Sequence, residues 1–310
     1  MSSLLDDFRS EFSKPNNTLA QLILVNVVVF LVLLLLNLIF TLSETSHLYA
    51  IVLDQLIIPA RASEFIRHPW TLFTYSFTQT DPFHILFNMM GLYWFGRLVD
   101  EYLGARRLLG LYLMGGIAGG LLYLAMYNLV PFFMQQSGGV RMLGSSGAFF
   151  SVAVGAATLL PNYSFHLLFF GPVRIKYIVF FLIVLSLAKL GGSNSGGELA
   201  HLGGAAMGFF FIKLLQNGTD LGRPIYWLLD SWQSLTRPKP AVKVSYRQRS
   251  SAASVNPSAY VTAGTAATGS SVTMPDEAEI DSILDKISRS GYESLSREEK
   301  QKLFKASQKS

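Results

Sequence analysis

The sequence predicts an all-α polytopic membrane protein, a core of six transmembrane helices followed by a helical C-terminal tail. Three observations predict it. Only 15% of the 310 residues are charged and half are apolar, whereas an ordinary soluble domain carries about a quarter charged residues. The apolar residues gather into long runs, as crossing a bilayer requires. The basic residues fall unevenly among the segments joining those runs, as an oriented chain needs. The chain has no cysteine, which excludes disulfides, zinc–thiolate sites and cysteine nucleophiles. The net charge of +5 is mostly borne by the tail and offers no footprint for nucleic acid.

Residues 1–18 read as a cytoplasmic N-terminus. The first apolar run, QLILVNVVVFLVLLLLNLIFTL over 21–42, contains no charge. At about 1.5 Å per residue it crosses a hydrocarbon core of roughly 30 Å. It is too long for the core of a cleaved signal peptide, and Asp6, Asp7 and Glu11 precede it. Five further runs follow, at 84–99, 108–130, 143–160, 177–190 and 199–215, completing a membrane domain over 19–217. Six crossings return both termini to one side. Arg9, Lys14, Arg97, Arg106, Arg107, Arg174 and Lys176 lie in the N-terminus and the even-numbered loops. Arg61, Arg67 and Arg141 lie in the odd ones, with Lys189 at a border, and this bias puts both termini in the cytoplasm.

Residues 218–235 read as an interfacial helix, because RPIYWLLDSWQSL sets Tyr226, Trp227 and Trp232 beside a membrane exit. Arg237, Lys239, Lys243, Arg247 and Arg249 follow with no acid among them, a stretch that suits anionic lipid or a solvated linker equally well. Ser, Ala, Thr and Gly then dominate, so 236–275 reads as a basic, then flexible linker. Residues 276–310 order again as a small helical hairpin. Ile280, Ile283, Leu284 and Ile287 form one apolar helical face. Gly291 stops that helix, and Ser296 with Glu299 makes a capping box for a second one carrying Leu303 and Phe304. The hairpin has no chemistry of its own and reads as a docking element for a partner.

An ionisable residue inside a span is costly and is a functional hypothesis by default. His84 opens span two, Ser146 span four and His201 span six. With the N-terminus inside, all three spans start at the outer face, so the three residues share a depth of about one helical turn. Gly147, Ser151 and Gly155 give span four one small-residue face, and Gly204 and Gly208 repeat the pattern below His201. Such faces let two backbones approach closely, bringing an imidazole base toward a serine hydroxyl, the pairing of nucleophilic catalysis. His84 and Asn88 share a face at i and i+4. Both can donate to an oxyanion, as can the Ser146 N–H, and one such donor is worth about 10²–10³ in rate. Each feature alone has a plainer reading. GSSG can be a helix entry, His201 an interfacial hydrogen-bonding residue, and His84 with Asn88 an interhelical contact or, remotely, a metal pair. Their conjunction at one depth favours chemistry.

At these residues the sequence resembles the rhomboid intramembrane serine proteases. The family's G-x-S-G reads Gly144-Ser145-Ser146-Gly147, its H-x-x-G-x-x-x-G reads HLGGAAMG from His201 to Gly208, and its span-two H-x-x-x-N reads His84 and Asn88. The resemblance covers about residues 60 to 217. It implies a rhomboid-like six-helix core with a Ser146–His201 dyad, no obligatory acid, and no metal or organic cofactor. His84, Asn88 and the Ser146 N–H then hold the oxyanion, Gly144, Gly147, Gly204 and Gly208 pack helices, and Phe150 stacks on His201 where the family often has tyrosine. It also implies transmembrane protein substrates that unwind near the outer face, with a small residue before the cut. The setting implied is a bacterial inner (plasma) membrane, with lipid as the other partner and the site open to the outer face. GGSNSGG, 191–197, resembles the family's capping loop, and Glu198 reads as a first-turn acid favoured by the helix dipole. Trp70-Thr71 departs from the family's Trp-Arg pair, leaving Arg67 as a substitute, and Asp100 and Glu101 both fit its acid after span two. The runner-up is a non-catalytic rhomboid-like binder of transmembrane clients. A small transporter fits less well, because the polar groups gather near one face rather than the midplane. Zinc and aspartyl intramembrane proteases lack their motifs here.

Overall fold

The computed structural model describes residues 17–167, 171–236, 277–290, 295, 296, 298 and 299. They fall in two compact units, Met1–Ala241 and Val242–Ser310.

In chain order the first unit contains α1 (Thr18–Leu42), α2 (Ser46–Asp54), β1 (Ile58–Pro59), the single turns α3 (Ala62–Phe65) and α4 (Thr71–Thr74), α5 (Pro82–Leu103) and α6 (Ala105–Leu129). There follow the turn α7 (Pro131–Met134), β2 (Arg141–Met142), α8 (Ser146–Leu159), β3 (Ser164–Leu167), β4 (Gly171–Arg174), α9 (Ile175–Lys189), α10 (Ser195–Gln216) and α11 (Arg223–Thr236). Each of the six apolar runs folds as a helix. Of these, α1, α6 and α10 are long and apolar enough to cross a membrane, and α8 is apolar but shorter.

Local signals set the helix that carries His84. Asp81 caps α5 by accepting the His84 N–H at 2.6 Å, and Pro82 takes the first turn, where its missing donor costs nothing. The helix ends at Gly104, whose φ of +83° suits glycine. At the other extreme of burial, α1 hides only Leu19, Leu22, Asn26 and Leu33 and leaves Leu31, Val32, Leu34, Leu35, Leu38 and Ile39 exposed. An apolar face of that kind belongs against lipid.

The core lies where α6, α8 and α10 pack most extensively on one another. From Ser146 to Ala157 every residue of α8 is buried. A methyl group at Gly204 would fall on the Gly147 carbonyl oxygen, and one at Gly208 on the Ser151 carbonyl oxygen. One turn apart, these two contacts bring α8 and α10 backbone to backbone. Gly119 and Gly203 do the same between α6 and α10, where added Cβ atoms would meet Ala200 and Ala118 carbonyl oxygens at 2.8 and 2.7 Å. Ser151 fills the remaining gap and donates to the Leu111 carbonyl at 2.9 Å. By contrast α9 packs on α8 and α10 less extensively. The strand β1 pairs antiparallel with β2, Ile58 opposite Met142, and fastens the first long connection to the segment entering α8.

In the second unit α12 (Glu277–Ser290) buries Ile283 and exposes Leu284. Ser296 and Glu299 make the reciprocal hydrogen bonds of a capping box, Ser296 N–H to Glu299 Oε2 at 2.6 Å and Glu299 N–H to Ser296 Oγ at 3.2 Å. Lys286 meets Glu299 at 2.9 Å and, with the Ser296 N–H, holds that carboxyl below its ordinary value. The residues 1–16, the linker from 237 to 276, the Trp232 side chain, Gly291, Leu303 and Phe304 lie outside the described residues.

Candidate active site

Ser146 is the first residue of α8, so its N–H has no helical acceptor. Gly144 precedes the helix with φ +123°, a conformation that favours glycine. It is therefore a turn residue and not one of the helix-packing glycines expected from the motif. A Cβ there would touch His84 Cε1 at 3.0 Å and lie 3.8 Å from Ser146 Oγ, so the imidazole of α5 and the hydroxyl of α8 border the same small space. The Gly144 N–H is fixed by the Tyr75 carbonyl at 2.9 Å, and the Tyr75 hydroxyl donates to the Gly116 carbonyl at 2.5 Å.

His201 stands on α10 beside Ala200, whose carbonyl oxygen lies 3.1 Å from where a Cβ on Gly147 would sit. Phe150 lies flat against the imidazole, with ring centroids 4.2 Å apart and planes within 4°. His201 Nδ1 is 2.9 Å from Ser186 Oγ on α9 and 3.1 Å from Glu198 Oε2 on its own helix. Glu198 occupies the first turn of α10, as the dipole argument expects, and its carboxylate is also turned onto the histidine. Among the described residues no hydrogen bond joins Ser146 to His201. His84 borders the start of α8 at Gly144, and His201 stacks on Phe150, one turn into the same helix.

Asn88 is buried and tied elsewhere. Its Nδ2 donates to Gln79 Oε1 at 2.8 Å, and Gln79 Nε2 donates to Ser145 Oγ at 3.1 Å and to Asn26 Oδ1 at 3.3 Å. Asn26 Nδ2 continues to the Tyr112 hydroxyl at 3.0 Å, which donates to the Ser76 carbonyl at 3.0 Å. Fully buried Gln79 and Asn26 thus connect α1, α5, α6 and α8 behind the site. Ser145 is fully buried and engaged in this network, whereas Ser146 is not.

Sequence reasoning missed Gln79, Asn26 and Ser186. A lone serine in the apolar α9 run was a readable signal for Ser186, while Gln79 looks like any loop polar residue. The first connection is anchored differently from expectation. Arg141, from β2, reaches Asp54 at 3.0 Å and Glu64 at 3.6 Å, whereas Arg67 is exposed and Thr71 is buried, donating to the His68 carbonyl at 2.6 Å. Of GGSNSGG, Ser195, Gly196 and Gly197 are buried and helical, which shortens the loop. No cluster of metal-ligating side chains occurs among the described residues.

Residues 67–217 match the Rhomboid domain, and residues 274–309 match a family of unknown function, DUF6576. RHOMBOID-like protein 12, mitochondrial, of Arabidopsis thaliana is 35% identical over 147 residues, 44% of this chain and 44% of that protein. From the same plant, RHOMBOID-like protein 1 is 31% identical over 47% of this chain and 35% of its own length. Rhomboid-like protein 16, chloroplastic, is 26% identical over 44% and 46%. The chain spans less than half the length of each of these relatives. Two of the three are named for plant organelles, so they lend nothing to a bacterial setting. Residues 67–217 of this integral membrane protein, which frame Ser146 and His201, thus match a Rhomboid domain and are similar to rhomboid-like proteins.

Proposed function

We propose that the chain is an intramembrane serine endopeptidase that crosses the bilayer six times and cleaves transmembrane protein substrates near the face at which α5, α8 and α10 begin. Both termini lie on the opposite, cytoplasmic side. The observation that carries the reading is the glycine contact between α8 and α10, which sets Ser146 and His201 at neighbouring positions on two touching backbones. In the reaction Ser146 Oγ bonds to a substrate carbonyl carbon and its proton passes to His201 Nε2. The carbonyl electron pair becomes an oxyanion, held by the Ser146 N–H, His84 and the second N–H of Asn88. The proton then moves from Nε2 to the leaving amine as the peptide bond breaks, and water hydrolyses the acyl-enzyme. A length of 14 residues supports a recessed nucleophile, because α8 is about 21 Å long against a core of roughly 30 Å.

One observation favours the alternative, a non-catalytic binder of transmembrane clients: Ser146 and His201 share no hydrogen bond. Dyads tighten on substrate binding, and reactivity separates the two readings. A fluorophosphonate probe on the protein in lipid bilayers should label the wild type and Ser145→Ala, but neither Ser146→Ala nor His201→Ala. A folded wild type that takes up no probe makes the chain a binder.

A further inference from the structure

The environment of His201 holds more than a dyad requires. Its Nδ1 has two neighbours within hydrogen-bond reach, the Ser186 hydroxyl at 2.9 Å and the Glu198 carboxylate at 3.1 Å. Glu198 is almost wholly buried, on the first turn of α10. A carboxylate hidden there is costly unless it is hydrogen-bonded or paired. Here the imidazole pairs with it, and Lys189 stands at the end of α9 as the basic residue whose field reaches it. His84, on α5, is a further titratable group within electrostatic reach of His201.

We propose that Glu198 is a positioning residue for the reaction, fixing the tautomer and ring orientation of His201, with Ser186 as its second anchor on α9. This rests on the protease reading. The chemistry follows from what each group can do. A hydroxyl both donates and accepts, so Ser186 alone permits either imidazole tautomer. An ionised carboxylate only accepts. Glu198 therefore requires the proton on Nδ1, which leaves Nε2 with the lone pair that receives the Ser146 proton. The same carboxylate then offsets the positive charge of the imidazolium while Nε2 holds that proton. Phe150 confines the ring to one plane, and Glu198 selects the rotation within it. An i, i+3 spacing keeps carboxylate and imidazole together whenever α10 is intact, so the orientation does not depend on the less extensively packed α9.

The test uses the full-length chain in bilayers. Glu198→Gln preserves size and polarity but lets an amide N–H face Nδ1, so the tautomer preference is lost. Its Ser146 labelling rate by the fluorophosphonate should fall by about 10²-fold, the lower range for a general base, with its melting temperature close to wild type. Ser186→Ala should lose less. ¹⁵N spectra of histidine-labelled protein, assigned with His201→Ala, should show the His201 proton on Nδ1 in the wild type and redistributed toward Nε2 in Glu198→Gln. Equal labelling of wild type and Glu198→Gln overturns the proposal while leaving the protease reading intact. A wild type carrying the proton on Nε2 overturns it even if the variant fails to fold. A wild type that never labels removes the protease reading, and the catalytic part of Glu198 with it.

Discussion

The two ends of α6 are built on opposite principles. Near Gly116 and Gly119, beside the start of α8, contacts are made by backbone and small residues, polar atoms are buried, and there is no room for a methyl group. Near Ala105 the helix meets α11 and the turn that leads into it through long side chains. Arg106 reaches Asp230 at 2.5 Å, Arg107 reaches Asp220 at 3.4 Å, and Tyr226 inserts its phenol between Gly110 and Gly222. A site whose groups come from three helices needs positions good to fractions of an ångström. Backbone contact enforces that, because it has no rotamers to relax. The α11 attachment needs only to hold, and flexible, solvated side chains suffice.

The largest effects should therefore come from added atoms at the Ser146 end. Gly204→Ala places a Cβ on the Gly147 carbonyl oxygen, which forces α8 and α10 apart. Overpacking against backbone should cost about 3 kcal/mol or more. Fluorophosphonate labelling should be abolished, read alongside thermal unfolding in detergent. A Gly204→Ala protein that melts and labels like wild type would mean that the helix contact is slack, and the contrast between the two ends would collapse. Next in size is Gln79→Leu, which strips Asn88, Ser145 and Asn26 of a common partner while keeping the volume. Unpaired buried groups should lower stability by about 1–3 kcal/mol. Because Asn88 is held by Gln79, labelling should drop as well. Unchanged labelling with reduced stability would confine the network to a structural part.

The same contrast explains what was legible in the sequence. The six helices could be read because apolar runs and their breaks are local, and the approach of α8 to α10 because glycine spacing marks where backbones touch. The network behind them could not. Asn26 sits in the most apolar run of the chain, yet its side-chain partners are 53 and 86 residues away. Arg141 replaces Arg67 as anchor because β1–β2 pairing, invisible to periodicity, brings it to Asp54. The glycines of 196–197 looked like flexibility. In place they are close approaches, a Cβ on Gly196 lying 2.9 Å from the Tyr123 ring. Glu198 was assigned to the helix dipole, although its i, i+3 relation to His201 was there to be used.

At the α11 end the effects should be small and of a different kind. Arg106 and Asp230 are 63% and 62% exposed, so Arg106→Ala should cost about 0.2–1 kcal/mol, a loss that fades as salt is raised. A larger, salt-independent loss would make this attachment part of the core. Tyr226 gives the finest test. Among the described residues its buried hydroxyl has no partner at hydrogen-bond geometry, and burial together with nearby Asp220 pushes the phenol above its ordinary 10.0. The neutral ring is therefore the form that the folded state prefers. That preference is fully present below pH 10, where the unfolded phenol also keeps its proton. It is lost as pH climbs from there through the raised folded value. Tyr226→Phe should leave stability at neutral pH unchanged or slightly higher, since it removes an unsatisfied group, and should remove this contribution to alkaline unfolding. If Tyr226→Phe instead destabilised the protein at neutral pH, the hydroxyl would be bonded after all. The α11 end would then share the dry, fully satisfied construction of the Ser146 end.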